Sequence, residues 1–242
     1  MELIITGIAG FSILLGALLT RLIKDTEKME HLSMALALGA LVALLLFDLL
    51  PEMKELVNLQ GIGYSLLMVV SGVALLKVLD IFIPDHHDTE ENHDHENAVH
   101  IGIISALAVI LHNVVEGMSV YSVAMTSLQG GIAFAVGIAM HNIPMGMLID
   151  STMEERKRSE RYVLLAAVCL STLFGGMLMN LVSGNLTEVL TLTLVSIATG
   201  MILFIVFAEL LPHVFRTKTH MNVSWIGVIA GFLLVWISTR VA

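Results

Sequence analysis

The chain is poor in the residues that anchor most soluble folds. It has one cysteine in 242 residues, Cys169, which excludes an intramolecular disulfide and a thiolate metal cluster. Charge is scarce, at 14% Asp, Glu, Lys and Arg against 57% hydrophobic residues, and a soluble domain of this length needs a larger charged surface. Nucleic acid is not expected as a partner. No phosphate-binding loop of the form GxxxxGK[ST] and no His-Glu-x-x-His zinc-hydrolase motif occurs. The first apolar run lacks a basic leader and a cleavage site, so it is expected to stay as a helix.

What the chain does have is long apolar runs, with a mean hydropathy of +0.89. A helix needs about 20 mainly apolar residues to cross a bilayer. Eight segments satisfy this, at roughly 3–23, 31–51, 61–83, 101–126, 130–150, 162–183, 188–212 and 222–241. The expected fold is an all-α membrane protein forming one transmembrane domain over residues 1–242. Arg21, Lys24, Lys28, Arg156, Lys157, Arg158, Arg161, Arg216 and Lys218 flank the first, fifth and seventh breaks, all on one face. Basic residues mark the cytoplasmic side, so both termini are expected to be extracytoplasmic.

An internal repeat runs through these spans. Asp48-Leu49-Leu50-Pro51 closes the second and Glu209-Leu210-Leu211-Pro212 closes the seventh. Each is followed by a helix with a small-residue pair, Ser71-Gly72 and Ala230-Gly231. Spans two and seven cross in opposite directions, so the copies are inverted. Inverted three-helix repeats, spans 1–3 and 6–8, around a central pair of interrupted helices form a transporter arrangement.

That central pair carries the chemistry. His112-Asn113-Val114-Val115-Glu116-Gly117 lies in span four and His141-Asn142-Ile143-Pro144-Met145-Gly146 in span five. Polar groups in hydrocarbon are costly and mark ion pathways or sites. Residues four apart share a helix face, so His112 pairs with Glu116 and His141 with Met145. A neutral imidazole and a carboxylate one turn apart are ready ligands for a divalent ion such as zinc. Asn113 and Asn142 each add a carbonyl oxygen. Pro144 removes a helical hydrogen bond opposite the Met140 carbonyl, so a break is expected there. These features would bring His112, Glu116 and His141 together near the midplane.

The acids Asp48 and Glu52 at one end, and Glu209 with His213 at the other, are candidate entry and exit groups. Lys77 and Asp80 are expected to pair with each other. Residues 84–100 hold five of the ten histidines among six acids and are expected to be a disordered cytoplasmic loop that collects metal weakly.

In these motifs the chain resembles the ZIP family of divalent metal transporters. Members carry His-Asn-x-x-(Asp/Glu)-Gly in the fourth span and His-(Glu/Asn)-Ile-Pro-x-(Glu/Gly) in the fifth. The acid-x-x-Pro elements of spans two and seven and the histidine-rich third loop also fit, so the resemblance covers essentially the whole chain. It implies eight spans with inverted repeats around two metal-binding helices. It also assigns His112, Glu116 and His141 to the primary transport site, and Asn113 and Asn142 to a second site or the path between sites. Two departures stand out. Met145 replaces a carboxylate or histidine, and span six reads Ser171-Thr172-Leu173-Phe174-Gly175-Gly176-Met177 without an acid. A single-ion site is therefore expected.

The expected function is movement of a divalent ion, zinc first and iron or manganese as alternatives, into the cytoplasm by alternating access. No cofactor is expected; the ion is cargo. A transport-impaired metal sensor and an intramembrane metalloenzyme are the competing readings. A copper(I) path lined by methionines is a further minor one, since a thioether suits that ion better than zinc. A bacterial inner membrane is the expected setting, with a homodimer left open.

Overall fold

A computed structural model describes residues 1–22, 25–82, 93–154, 156–182, 187–216 and 221–241. Among them are eight helices long and apolar enough to span a bilayer. They are α1 (Glu2–Leu22), α2 (Thr26–Gln60), α3 (Ile62–Ile81), α4 (His93–Thr126, apolar from Ala98), α5 (Leu128–Thr152), α6 (Arg158–Leu181), α7 (Glu188–Arg216) and α8 (Met221–Val241). All eight expected spans are present. Polar caps set several starts: Asp25 accepts from the Lys28 amide, Ser127 from Gly130 and Thr187 from Leu190. Gly61, at φ 85°, separates α2 from α3 with a conformation that side chains disfavour.

Two expectations change. Residues 83–92 of the histidine-rich stretch lie outside the described residues, but from His93 onward the chain is already α4. The helix thus begins well before the polar residues end, because an aqueous first turn can be hydrophilic when later turns are buried. The expected break at Pro144 is also absent, since α5 runs unbroken through it. One ladder bond is lost, and the helix is buried against protein on this stretch, which keeps its course.

Irregularity falls elsewhere. π-helical turns occupy Leu45–Leu49 in α2 and Ile205–Leu210 in α7. Each precedes a proline, and the amides of Leu50 and Leu211 reach back five residues, to Leu45 and Val206. Pro51 and Pro212 have no N–H and crowd the carbonyl four residues before them, and a widened turn relieves that crowding.

Glycines make the helix crossings. A Cβ on Gly16 would overlap the Ile143 carbonyl of α5, and one on Gly146 the Ile13 carbonyl of α1. The same reciprocal contact joins Gly117 of α4 to Thr172 and Gly175 of α6 to Val114. Gly39 and Gly231 join α2 to α8, and Gly72 and Gly200 join α3 to α7. Helices in lipid associate through such small-residue approaches, because hydrocarbon offers no hydrophobic drive between them. An offset of 159 residues carries Gly16 to Gly175 and Gly72 to Gly231, and 161 carries Gly39 to Gly200. The crossings thus repeat in register with the acid-Leu-Leu-Pro elements and their π turns, a pattern consistent with inverted three-helix repeats.

Candidate metal centre

His112 and Glu116 come from α4 and His141 from α5, and all three are buried. The Nε2 atoms of both imidazoles lie 2.9 Å from Glu116 Oε1. Neither nitrogen is aligned for a hydrogen bond, and Glu116 Oε2 also lacks a partner. The rings stand 6.1 Å apart at 51°. Three ligand atoms from two helices therefore converge on one point inside the bilayer. Tetrahedral zinc at bond lengths near 2.1 Å spaces its donors roughly 3.4 Å apart, so small side-chain rotations would admit the ion.

The three residues close off a cavity of about 200 Å³. Its walls come from α2, α4, α5, α7 and α8 and include Asp48 and Glu52. The cavity runs along α4 from His112 to Ser119 and along α5 from His141 back to Phe134, toward the face that carries the termini. On the other side of the imidazoles, Met145, Leu148 and Ile149 are packed shut, each 1% exposed or less.

The remaining residues singled out from sequence sit differently. Met145 belongs to the apolar core and not to the cavity wall. Asn113 and Asn142 are buried away from the wall, and each amide donates to the backbone of a neighbouring helix. Asn113 bonds to the Val168 carbonyl at 3.3 Å and Asn142 to the Ala9 carbonyl at 3.4 Å. Ser171 donates to the same Val168 oxygen and Ser12 to the same Ala9 oxygen, so the clamp is repeated at the 159-residue offset. Both Oδ1 atoms are buried without a hydrogen-bond partner.

Asp80 does not pair with Lys77. It lies 2.7 Å from His100 Nε2, and with Glu209 these form a second convergent group at the opposite end of the bundle. The His31 and His213 rings lie 6.2 Å apart at that same end. By the 161-residue offset, Glu209 and His213 are the repeat copies of Asp48 and Glu52. Sequence reasoning missed His100 as part of this group, since it had been read as loop.

Asp150, near the end of α5, is 1% exposed. It accepts from both the Arg161 guanidinium of α6 and the Thr20 hydroxyl of α1. An acid eleven residues before an arginine, across a short loop, was the signal available for it. A bidentate arginine makes burial of that charge tolerable.

Residues 82–239 match the family model described as the ZIP zinc transporter. Curated relatives extend the similarity over nearly the full length. A zinc transporter ZupT of Stenotrophomonas maltophilia is 27% identical across 96% of this chain and 91% of its own. Those of Akkermansia muciniphila and Streptococcus mutans are 26% and 23% identical, across 96% and 97% of this chain and 94% and 95% of theirs.

Proposed function

The chain belongs to the ZIP zinc transporter family, and we propose that it carries a divalent metal ion, zinc first, through the membrane by way of His112, Glu116 and His141. The observation that supports this most directly is their convergence, buried, at the closed end of a cavity lined by two further acids. An ion entering from the face of the termini meets Asp48 and Glu52, whose charge raises its local concentration. It then exchanges water for two imidazoles and one carboxylate. A single carboxylate leaves positive charge on a divalent ion in a low-dielectric site, and the two cavity acids offset it.

The basic residues favour a terminal face outside, with a bacterial plasma membrane as the setting; on that reading this conformation is open outward and transport runs inward. Release follows toward Asp80, His100, Glu209 and His213. The glycine crossings group α1 with α5 and α4 with α6, and separately α2 with α8 and α3 with α7. Gly10 and Gly176 further join α1 to α6, at Thr172 and Thr6. This pattern suggests a moving body of α1, α4, α5 and α6 that holds the ion against α2, α3, α7 and α8, in place of the rocking of whole repeats. Asn113 and Asn142 act as helix clamps within the moving body, and Met145 as packing beneath the site.

Uptake of radioactive zinc into proteoliposomes tests the reading, comparing the wild type with His112→Ala and Glu116→Ala. Loss of uptake in both variants is expected. Uptake unchanged in both would remove the site assignment, and metal binding without any wild-type uptake would favour a sensor.

A further inference from the structure

A second cavity, of about 430 Å³, lies between α1 and α6 and shares no lining residue with the metal cavity. Its walls are apolar: Phe11, Leu14 and Leu18 of α1 face Leu165 and Ala166 of α6. Leu165 and Cys169 are buried at its base, while Phe11, Leu14 and Leu18 are exposed on the bundle surface.

One end of this groove is polar. Arg21, Tyr162 and Asp150 line it. Asp150 is already matched by Arg161 and Thr20, so it does not neutralise Arg21. Among the described residues Arg21 has no carboxylate partner. Arg158, the first residue of α6, stands four residues before Tyr162 and shares its helix face. Lys157, at the cap position, makes no side-chain capping bond, and the first turn of α6 carries one acid, Glu160, against the three basic residues Arg156, Lys157 and Arg158. One guanidinium, Arg21, and the Tyr162 phenol thus line the mouth of an apolar slot at the basic face of the membrane, and a second guanidinium, Arg158, follows one turn away at the start of α6.

We propose that this groove is a specific site for one anionic phospholipid, with an acyl chain between α1 and α6 and its phosphate held by Arg21 and Arg158. Basic pockets between helices on the cytoplasmic side recognise anionic headgroups in this way. A zwitterionic lipid fills the same slot but has no net charge to offer the guanidiniums. The lipid would tie α1 to α6 at the end where Asp150 already ties α5 to both, stiffening the body that carries the metal site.

Cys169, the chain's one thiol, reports on the groove because it lines the base. The delipidated full chain in detergent is titrated with phosphatidylglycerol or phosphatidylcholine. Maleimide labelling of Cys169 and lipid retention in native mass spectrometry are followed together. Phosphatidylglycerol is expected to protect at a concentration at least about fivefold lower, the factor one basic group supplies near an anionic headgroup. Arg21→Gln with Arg158→Gln should bring the two lipids level, and Arg21→Lys with Arg158→Lys should restore most of the preference. Ala166→Trp, which fills the slot and leaves both arginines, should lower retention of both lipids. Equal protection by the two lipids in the wild type would overturn the proposal. So would a preference surviving the double glutamine variant, or retention unaffected by Ala166→Trp.

Discussion

The two halves of this molecule agree in their frame and disagree in their chemistry. Gly16 and Gly175, Ala9 and Val168, Ser12 and Ser171, and Pro51 and Pro212 occupy matching places, and the matched groups make the same contacts. At the centre the symmetry fails. His112 and His141 are counterparts, but Glu116 faces the cavity while its counterpart Met145 is packed in the core. The ends differ as well. Asp150 holds α6 through an ion pair with Arg161 and α1 through a hydrogen bond from Thr20, whereas the corresponding end of α4 uses a neutral bond from the Tyr121 hydroxyl to Asn180 at 2.6 Å. Backbone packing must satisfy the same constraint in both halves, because both span the same bilayer. An ion site needs its charge only once, so that pressure does not act on both copies.

The largest expected effect tests the asymmetry itself. Glu116→Gln keeps the shape and removes the only carboxylate of the triad, and zinc uptake should fall at least about a hundredfold, beyond the 10- to 100-fold that outer-shell partners cost. Met145→Gln, at the symmetric position, should lower protein stability by burying an amide and leave the zinc affinity of the His112, Glu116 and His141 site within about threefold. Equal losses of binding at both positions would mean that the counterparts share the ion.

The next test concerns the frame. Gly16→Leu and Gly175→Leu each push a side chain into a facing carbonyl, and both should destabilise the protein by about 1–3 kcal/mol or more. Thermal unfolding of the two variants in one detergent should give similar shifts. A large effect in one alone would show that only one crossing carries load.

Met145→Glu restores the missing carboxylate beside His141. Zinc affinity by calorimetry should rise about tenfold if the new side chain reaches the ion from beneath His141, because it brings a hard, charged oxygen to a site that the buried thioether does not line. Unchanged affinity would show that Met145 is too far into the core for its replacement to reach the ion.

Much of this was legible in the sequence. Hydropathy gives the eight spans, and the spacing of His112, Glu116 and His141 gives their convergence, because helix periodicity carries side-chain direction. The repeat is visible in Acid-Leu-Leu-Pro. Other features depend on packing that periodicity does not encode. Pro144 reads as a break yet leaves α5 continuous, while Pro51 and Pro212 produce π turns that composition alone does not signal. Asn113 and Asn142 read as part of a second ion site or the path to it, and the sequence does not signal that their amides also anchor to backbone carbonyls of α6 and α1, contacts between residues 55 and 133 positions apart. His100 reads as loop and lies in α4, beside Asp80.

The smallest expected effect separates the frame from the site at the two asparagines. Asn113→Ala and Asn142→Ala each remove one interhelical bond of the kind worth about 0.6 kcal/mol in membranes, up to about 1.7. As pure clamps the two should cost the same stability, and zinc affinity should not move in either. The unpartnered Oδ1 atoms provide the alternative. Asn113 precedes the complete half, with Glu116 one turn on, and Asn142 precedes the half where methionine stands. If an Oδ1 helps to hold the ion, Asn113→Ala should lower zinc affinity while Asn142→Ala does not. Asn→Ser at each position, which keeps an oxygen but shortens the reach, then tells a lost clamp from a lost ligand. Equal stability costs with unequal affinities would make the asparagines share the division seen at Glu116 and Met145, a common frame with one copy recruited for chemistry.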